Sequence, residues 1–170
     1  MTRRVLMLLY AHYEQLLADI ADMDKQLQEA VKQDERAQRI MEIPGGGPVT
    51  ASLICAEAGH AHQYASSRDF AASLGLAPRQ HNTGGKANML GISKRGDGRL
   101  RRLLVQGTRA VLIRAASSPH AVAPWAAQLQ TRRHSNVVAC ALAAKLARII
   151  WVILVKGEHY CPQPTAKLAA

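Results

Sequence analysis

The chain is punctuated at Ile43-Pro44-Gly45-Gly46-Gly47-Pro48-Val49-Thr50-Ala51. Two prolines and three glycines within this run end whatever helix precedes them and force a tight turn. Pro48 suits the first turn of a following helix, where its missing N–H costs nothing. That helix runs through Ala51, Leu53, Ile54 and Ala58 to Gly59. Upstream, no Pro or Gly occurs before Pro44, so one long helix from about residue 5 to 42 is expected. Within it Leu9, Tyr13, Leu16, Ile20, Met23, Leu27 and Ala30 alternate spacings of four and three, a heptad seam of about three repeats. Such a seam must be covered. Either it pairs with another chain, giving a homo-oligomer, or it folds back onto this chain's own helices.

Downstream of the turn, a short helix is expected over Ser67–Leu74, capped by Ser66 or Ser67. Gly75-Leu76-Ala77-Pro78 breaks it. Residues 79–98 read as an irregular basic loop with five glycines. Helices then follow over about 99–115, 123–130 and 136–156, with Ser118-Pro119 as an interruption. The most apolar window, Val137–Val155, contains Lys145 and Arg148. Charges at bilayer depth are costly, so this is expected as a buried helix with two snorkelling cations, with no membrane partner. One Phe, two Trp and four Tyr in 170 residues argue against a β-sandwich and against aromatic base-stacking platforms. The expected fold is all-α: a long N-terminal coiled-coil helix (1–42), a compact helical domain (43–160) and a frayed tail (161–170). The compact domain carries a helix-hairpin-helix-like element and the basic loop.

Charge is unevenly spread. The chain carries 22 Lys and Arg against 12 Asp and Glu, a formal net charge of +10. Residues 1–42 hold eight of the acids and six bases; the rest holds four acids and sixteen bases. Nine bases fall within 79–114: Arg79, Lys86, Lys94, Arg95, Arg99, Arg101, Arg102, Arg109 and Arg114, with Asp97 the single acid. On a helical wheel Arg99, Arg102, Gln106 and Arg109 share one side, opposite Leu100, Leu104 and Val111. A cationic stretch inside a foldable domain points to a polyanion, and an arginine stripe can track a nucleic-acid backbone. The bland alternative is a solvated basic face.

The Ile43–Ala51 run resembles the helix-hairpin-helix element of DNA-repair and junction-binding proteins. There, glycines let the backbone approach phosphate, and free N–H groups at a helix start bind anions. Gly45, Gly47 and Thr50 are the candidate contacts. Gly46 departs from that pattern, which usually has an anchoring hydrophobe in the middle position.

Several chemistries are excluded. Four scattered acids after residue 42 cannot easily assemble a two-metal nuclease site. Gly84-Gly85-Lys86 is followed by Ala87 and lacks P-loop spacing. His60 and His62 have no third ligand in register, and no G-x-S-x-G elbow exists. Cys55, Cys140 and Cys161 form no CxxC pair. This cysteine use, without a visible secretory signal, fits a reducing cytoplasm. Two hydroxyls, Thr83 and Ser93, lie among the cations. Such a hydroxyl could attack a phosphoryl group, because nearby cations stabilise the alkoxide and the transition state. Equally, it could make only turn hydrogen bonds.

Four motifs stand in order: Ile43-Pro44-Gly45-x-Gly47-Pro48; Pro78-Arg79-Gln80-His81-x-x-Gly84-Gly85-Lys86; Gly91-Ile92-Ser93-Lys94-Arg95-Gly96-Asp97; and Leu100-Arg101-x-Leu103-Leu104. Together they resemble the C-terminal domain of insertion-sequence transposases of the IS-110 / IS-116 / IS-902 family, most of all its IS-1111 subgroup. The resemblance covers about residues 5–160. It implies a larger recombinase with an N-terminal RNase-H-like domain bearing a DEDD acidic tetrad, a coiled coil, and this domain. It further implies DNA as substrate, a structured element-encoded RNA as partner, and a serine that attacks DNA beside divalent metal (Mg) held by the acidic domain. This stretch contains no such tetrad, so a truncated or split copy, inactive alone and with no cofactor of its own, is expected. The family places its serine just before the glycine pair or one residue earlier. Here those positions are Thr83 and Asn82. If the earlier of the two in the chain is reactive, Asn82 brings no hydroxyl; if the later, Thr83 keeps a more hindered one.

The expected function is therefore a DNA-binding part of a transposase in DNA transposition or site-specific recombination. The candidate contacts are Gly45, Gly47, Thr50, Arg79, Lys86, Ser93, Lys94, Arg95, Arg99, Arg102 and Arg109, with Asn82 and Thr83 as the nucleophile slot. Two alternatives stand beside it: a non-enzymatic helix-hairpin-helix binder of DNA structure, and a dimerising inhibitor of full-length transposases.

Overall fold

The computed structural model describes residues 2–83, 86–114 and 122–162. Its elements in order are α1 (Thr2–Gln33), α2 (Glu35–Met41), α3 (Pro48–Ala58), α4 (Ser67–Ser73), β1 (Pro78–Thr83), β2 (Lys86–Ile92), α5 (Gly98–Ile113), α6 (Val122–Gln130) and α7 (Ser135–Lys156). The fold is mostly helical, as expected, with one small two-stranded sheet.

Two local expectations are corrected and one open alternative is decided. The long first helix is broken at Asp34, which takes an extended backbone and accepts from the Arg36 N–H at 2.9 Å. An aspartate that competes for local N–H groups starts a new helix instead of continuing the old one. The basic segment is not an irregular loop. Most of it is an antiparallel hairpin in which Gln80 faces Met89, His81 faces Asn88 and Thr83 faces Lys86, with an irregularity between Pro78 and Gln80. Finally, the heptad seam does not fold back. Leu9, Tyr13, Leu16, Ile20 and Met23 are all exposed, and burial begins only at Val31.

Helix α7 is the centre of the core. Val138, Ala139, Leu142, Ala143, Leu146, Ala147, Ile150, Ile153 and Leu154 are buried against α2, α4, α5 and α6. By length and composition α7 could cross a membrane, but half of its most apolar window is covered by the protein itself. Its two cations sit as expected at the margin: the Lys145 ammonium lies 4.6 Å over the Trp125 ring, and Arg148 is exposed. On α5, Leu100, Leu104, Thr108, Val111 and Leu112 face inward. The buried Thr108 hydroxyl donates to Val105 O at 2.8 Å and can also reach Ala139 O on α7 at 3.1 Å.

The turn between α2 and α3 is built by close backbone approach. Gly45 holds φ +83°, and a Cβ there would stand 2.8 Å from the Gly107 backbone of α5. A Cβ at Gly46 would meet Ile40 O at 2.4 Å, so the middle position of the turn has no room for an anchoring side chain. The segment between β2 and α5 is stitched to the end of α4 in the same way. Ser93, Lys94 and Asp97 N–H groups donate to Ala77, Gly75 and Ser73 carbonyls at 2.8, 3.1 and 3.2 Å. Gly96, at φ +83°, leaves no space for a Cβ, which would lie 1.7 Å from Ser73 O.

Candidate nucleic-acid interface

The strand pair, α5 and α7 enclose two adjoining grooves. One, of about 530 Å³, runs along α5 beside Lys94, Arg101, Arg102, Gln106 and Arg109. The other, of about 600 Å³, lies between the hairpin base and α7 and carries Arg79, Lys94 and Arg148 at its margin. Ile92, Lys94 and Cys140 line both, so they form one surface. Among the described residues, no Asp or Glu lines either groove. Clefts lined by one sign of charge focus the potential and concentrate the opposite charge.

Four of the sequence-derived contacts meet on this surface: Arg79, Lys94, Arg102 and Arg109. Lys94 is held at φ +57°, in the left-handed region a lysine seldom occupies. Arg109 donates to Asn136 Oδ1 at 3.2 Å, which ties α5 to the start of α7. Arg102 is exposed, its Nε 3.2 Å from Gly98 O.

The other candidates fall elsewhere. Arg95 is exposed but outside the grooves, and Arg99 pairs with Glu57 of α3. The Ser93 hydroxyl accepts from the Arg95 N–H at 3.4 Å, a turn contact. Thr50 must be withdrawn as a DNA contact: it is 6% exposed on the inner face of α3, out of reach of a phosphate. Gly45 faces Gly107 rather than solvent, whereas Gly47 has open space around it at the start of α3. Asn82 and Thr83 close strand β1, with Thr83 opposite Lys86, but the side chains of Asn82, Thr83 and Lys86 lie outside the described residues, as do Gly84 and Gly85.

Several residues of the surface carried no signal in the linear reading. Asn136, Cys140, Ala144 and Arg148 line the hairpin-side groove at spacings of four, one stripe of α7, and Trp125 of α6 joins them. That spacing was available in the sequence but is hidden inside an apolar window. Arg101, one of the nine clustered bases, is half-buried and bends back onto the backbone. Its guanidinium donates to Leu74 O at 2.9 Å and Arg95 O at 3.3 Å, bracing the segment that presents Lys94.

The acids near this surface are engaged. Asp97 caps α5 by accepting from the Arg99 and Leu100 N–H groups at 2.7 and 3.2 Å. Asp69 accepts from Ser66, and Glu57 is taken by Arg99. Among the described residues no three His, Cys, Asp or Glu side chains come together as metal ligands. This donor set does not fit a catalytic magnesium ion.

Residues 37–125 match the family described as Transposase IS116/IS110/IS902, and the chain belongs to that family. It is 50% identical over 157 residues to the transposase for insertion sequence element IS1328 of Yersinia enterocolitica, covering 92% of this chain and 47% of that protein. It is 48% identical over 147 residues to a probable family 20 transposase of Pseudomonas aeruginosa, covering 86% and 44%. Against the transposase for insertion sequence element IS1111A of Coxiella burnetii it is 40% identical over 158 residues, covering 93% and 43%. The chain thus spans less than half the length of these curated relatives.

Proposed function

We propose that this chain is the DNA-binding part of a transposase acting in DNA transposition, and that duplex DNA lies along α5 and the hairpin base. The observation that carries this reading is the continuous surface of Arg79, Lys94, Arg102, Arg109 and Arg148 with no carboxylate on it. Arginine forks pair with phosphate oxygens, and each neutralised phosphate releases counterions. Gly47, at the open start of α3, adds the backbone contact expected of a helix-hairpin-helix turn.

In this reading the hairpin is an arm. Five residue steps separate Pro78 from Thr83, so at about 3.3 Å per step the nucleophile slot stands roughly 17 Å beyond the hairpin base. In that role the Thr83 hydroxyl would give its proton to a base of the acidic domain and form a phosphate ester with a strand held by the groove residues, while the deoxyribose oxygen of the broken phosphodiester leaves as a hydroxyl. Carboxylates and their divalent ion come from an acidic domain outside these residues, so the chain alone binds DNA without recombining it. The exposed seam of α1 is the self-association surface that would bring subunits together at the bacterial nucleoid. A structured RNA of the element is the further partner expected from the family.

The test is fluorescence anisotropy of a labelled 30-base-pair duplex titrated with the chain between 50 and 200 mM salt. Five phosphate contacts give a log–log slope of about −4.5, or a fall of roughly 500-fold over that range. Replacing both Arg102 and Arg109 with Ala flattens the slope by about 2. Binding that ignores salt, or a slope untouched by the double variant, removes the basis of the reading.

A further inference from the structure

The groove between the hairpin base and α7 is poorly matched to a phosphate backbone alone. Its margin is cationic, but much of its lining is apolar: Leu90, Trp125 and Val137 line it, and Leu90 and Val137 are 40% and 54% exposed. At about 600 Å³ it falls within the range of small-molecule pockets, about 300–1,000 Å³. A fully paired duplex presents sugars and phosphates outward and keeps its apolar base faces stacked inside. Only a nucleotide out of the stack offers an apolar face and a negative charge at once.

We propose that this groove holds one unpaired DNA nucleotide, its base on Trp125, Val137 and Leu90 and its phosphates met by Arg79, Lys94 and Arg148. The proposal rests on the DNA reading above and names what the groove takes. Two observations support it. Lys145 lies over the Trp125 ring, and burial, together with the charge of nearby Arg148, pushes its ammonium below the usual lysine range. No acid occurs anywhere on α7, and Arg148 stands at the groove margin, so an incoming phosphate is its natural counter-charge. Asn136 has its amide oxygen engaged by Arg109, which leaves the amide nitrogen to donate to an acceptor on the base edge.

Two fluorescein-labelled duplexes test this, identical except that one carries a single unpaired thymidine. The full chain is expected to bind the bulged duplex about tenfold more tightly. The Val137→Trp variant, which fills the groove from an exposed position, is expected to bring the two to equal affinity. A second readout uses the folded chain with its groove intact. In a Cys161→Ser background, half-buried Cys140 in the groove should be protected from N-ethylmaleimide by the bulged duplex and not by the paired one. Equal affinities with Cys140 unprotected overturn the nucleotide site and leave duplex binding standing. Failure of both duplexes to bind overturns the DNA reading itself. Tighter binding of the equivalent bulged RNA, with Cys140 protected, overturns DNA as the occupant.

Discussion

Replacing Gly45 or Gly107 with alanine separates a packing role from a DNA-contacting one. At Gly107, in the middle of α5, a Cβ would sit 2.3 Å from Gly45 O. Separating these atoms to ordinary contact requires the turn and the helix to part by about 1 Å, and overpacking of this kind costs about 1–3 kcal/mol. Alanine recovers about 1 kcal/mol of helix propensity, so the net loss for Gly107→Ala is about 0–2 kcal/mol. At Gly45 the clash is milder, 2.8 Å to the Gly107 carbonyl group, but φ is +83°. A left-handed alanine adds about 1–2 kcal/mol, which brings Gly45→Ala to about 3 kcal/mol. For a chain of this size each kcal/mol moves Tm by about 2–4 °C, so the expected falls are about 0–8 °C at Gly107 and 6–12 °C at Gly45. Gly91→Ala, where nothing lies within 4 Å of the added carbon, is the control and stays within about 0.5 kcal/mol of the parent. Urea and thermal unfolding followed by circular dichroism at 222 nm measure all three. If Gly45→Ala melts with the parent yet loses DNA affinity, the glycine is a phosphate contact and the packing argument is wrong.

Three further outcomes follow from single residues. Lys94→Gly relieves a left-handed lysine, so stability should hold or rise by up to about 1 kcal/mol while duplex affinity falls; a drop in both would show that Lys94 is needed for folding. The Arg36 guanidinium beside Asp34 holds that carboxyl below its ordinary 3.8, so its contribution is fully present above that value and fades as pH falls through the lowered one. The stability gap between the parent and Asp34→Asn should therefore be widest near neutral pH and close in acid; a gap that does not vary with pH contradicts the ion pair. Ile20→Glu, in the middle of the exposed α1 seam, should convert oligomer to monomer in sedimentation velocity without moving Tm of the core; an unchanged sedimentation coefficient would remove the seam as the self-association surface.

The sequence was most informative where one residue type dominates a face. Helix α7 was expected over about 136–156 from its apolar run and found at Ser135–Lys156. Ser66 caps α4 through the Asp69 N–H, as its position suggested. The hairpin left only a weak trace, because Gln80, His81, Asn82 and Thr83 are polar on both faces and carry no alternation. The glycine pair at 84–85 was its one turn signal. The break at Asp34 was missed because neither proline nor glycine marks it; an aspartate followed by Glu35 and Arg36 was the available cue. The arginines could be counted but not sorted. Arg101 bends back to brace a loop while its neighbour Arg102 faces out, and only the packing of α5 on α7 and the reach of Arg101 to Leu74 O separate them. The groove stayed hidden because it draws on a strand, α5, α6 and α7, which meet only in three dimensions.

The most direct test of where DNA lies is hydrogen–deuterium exchange of the chain with and without a saturating duplex at low salt. Protection is expected over 78–92, along α5 from Gly98 to Arg109, and over the first half of α7. Protection confined to the α2–α3 turn, with α5 and the hairpin exchanging as in the free chain, would contradict the cationic groove as the DNA interface.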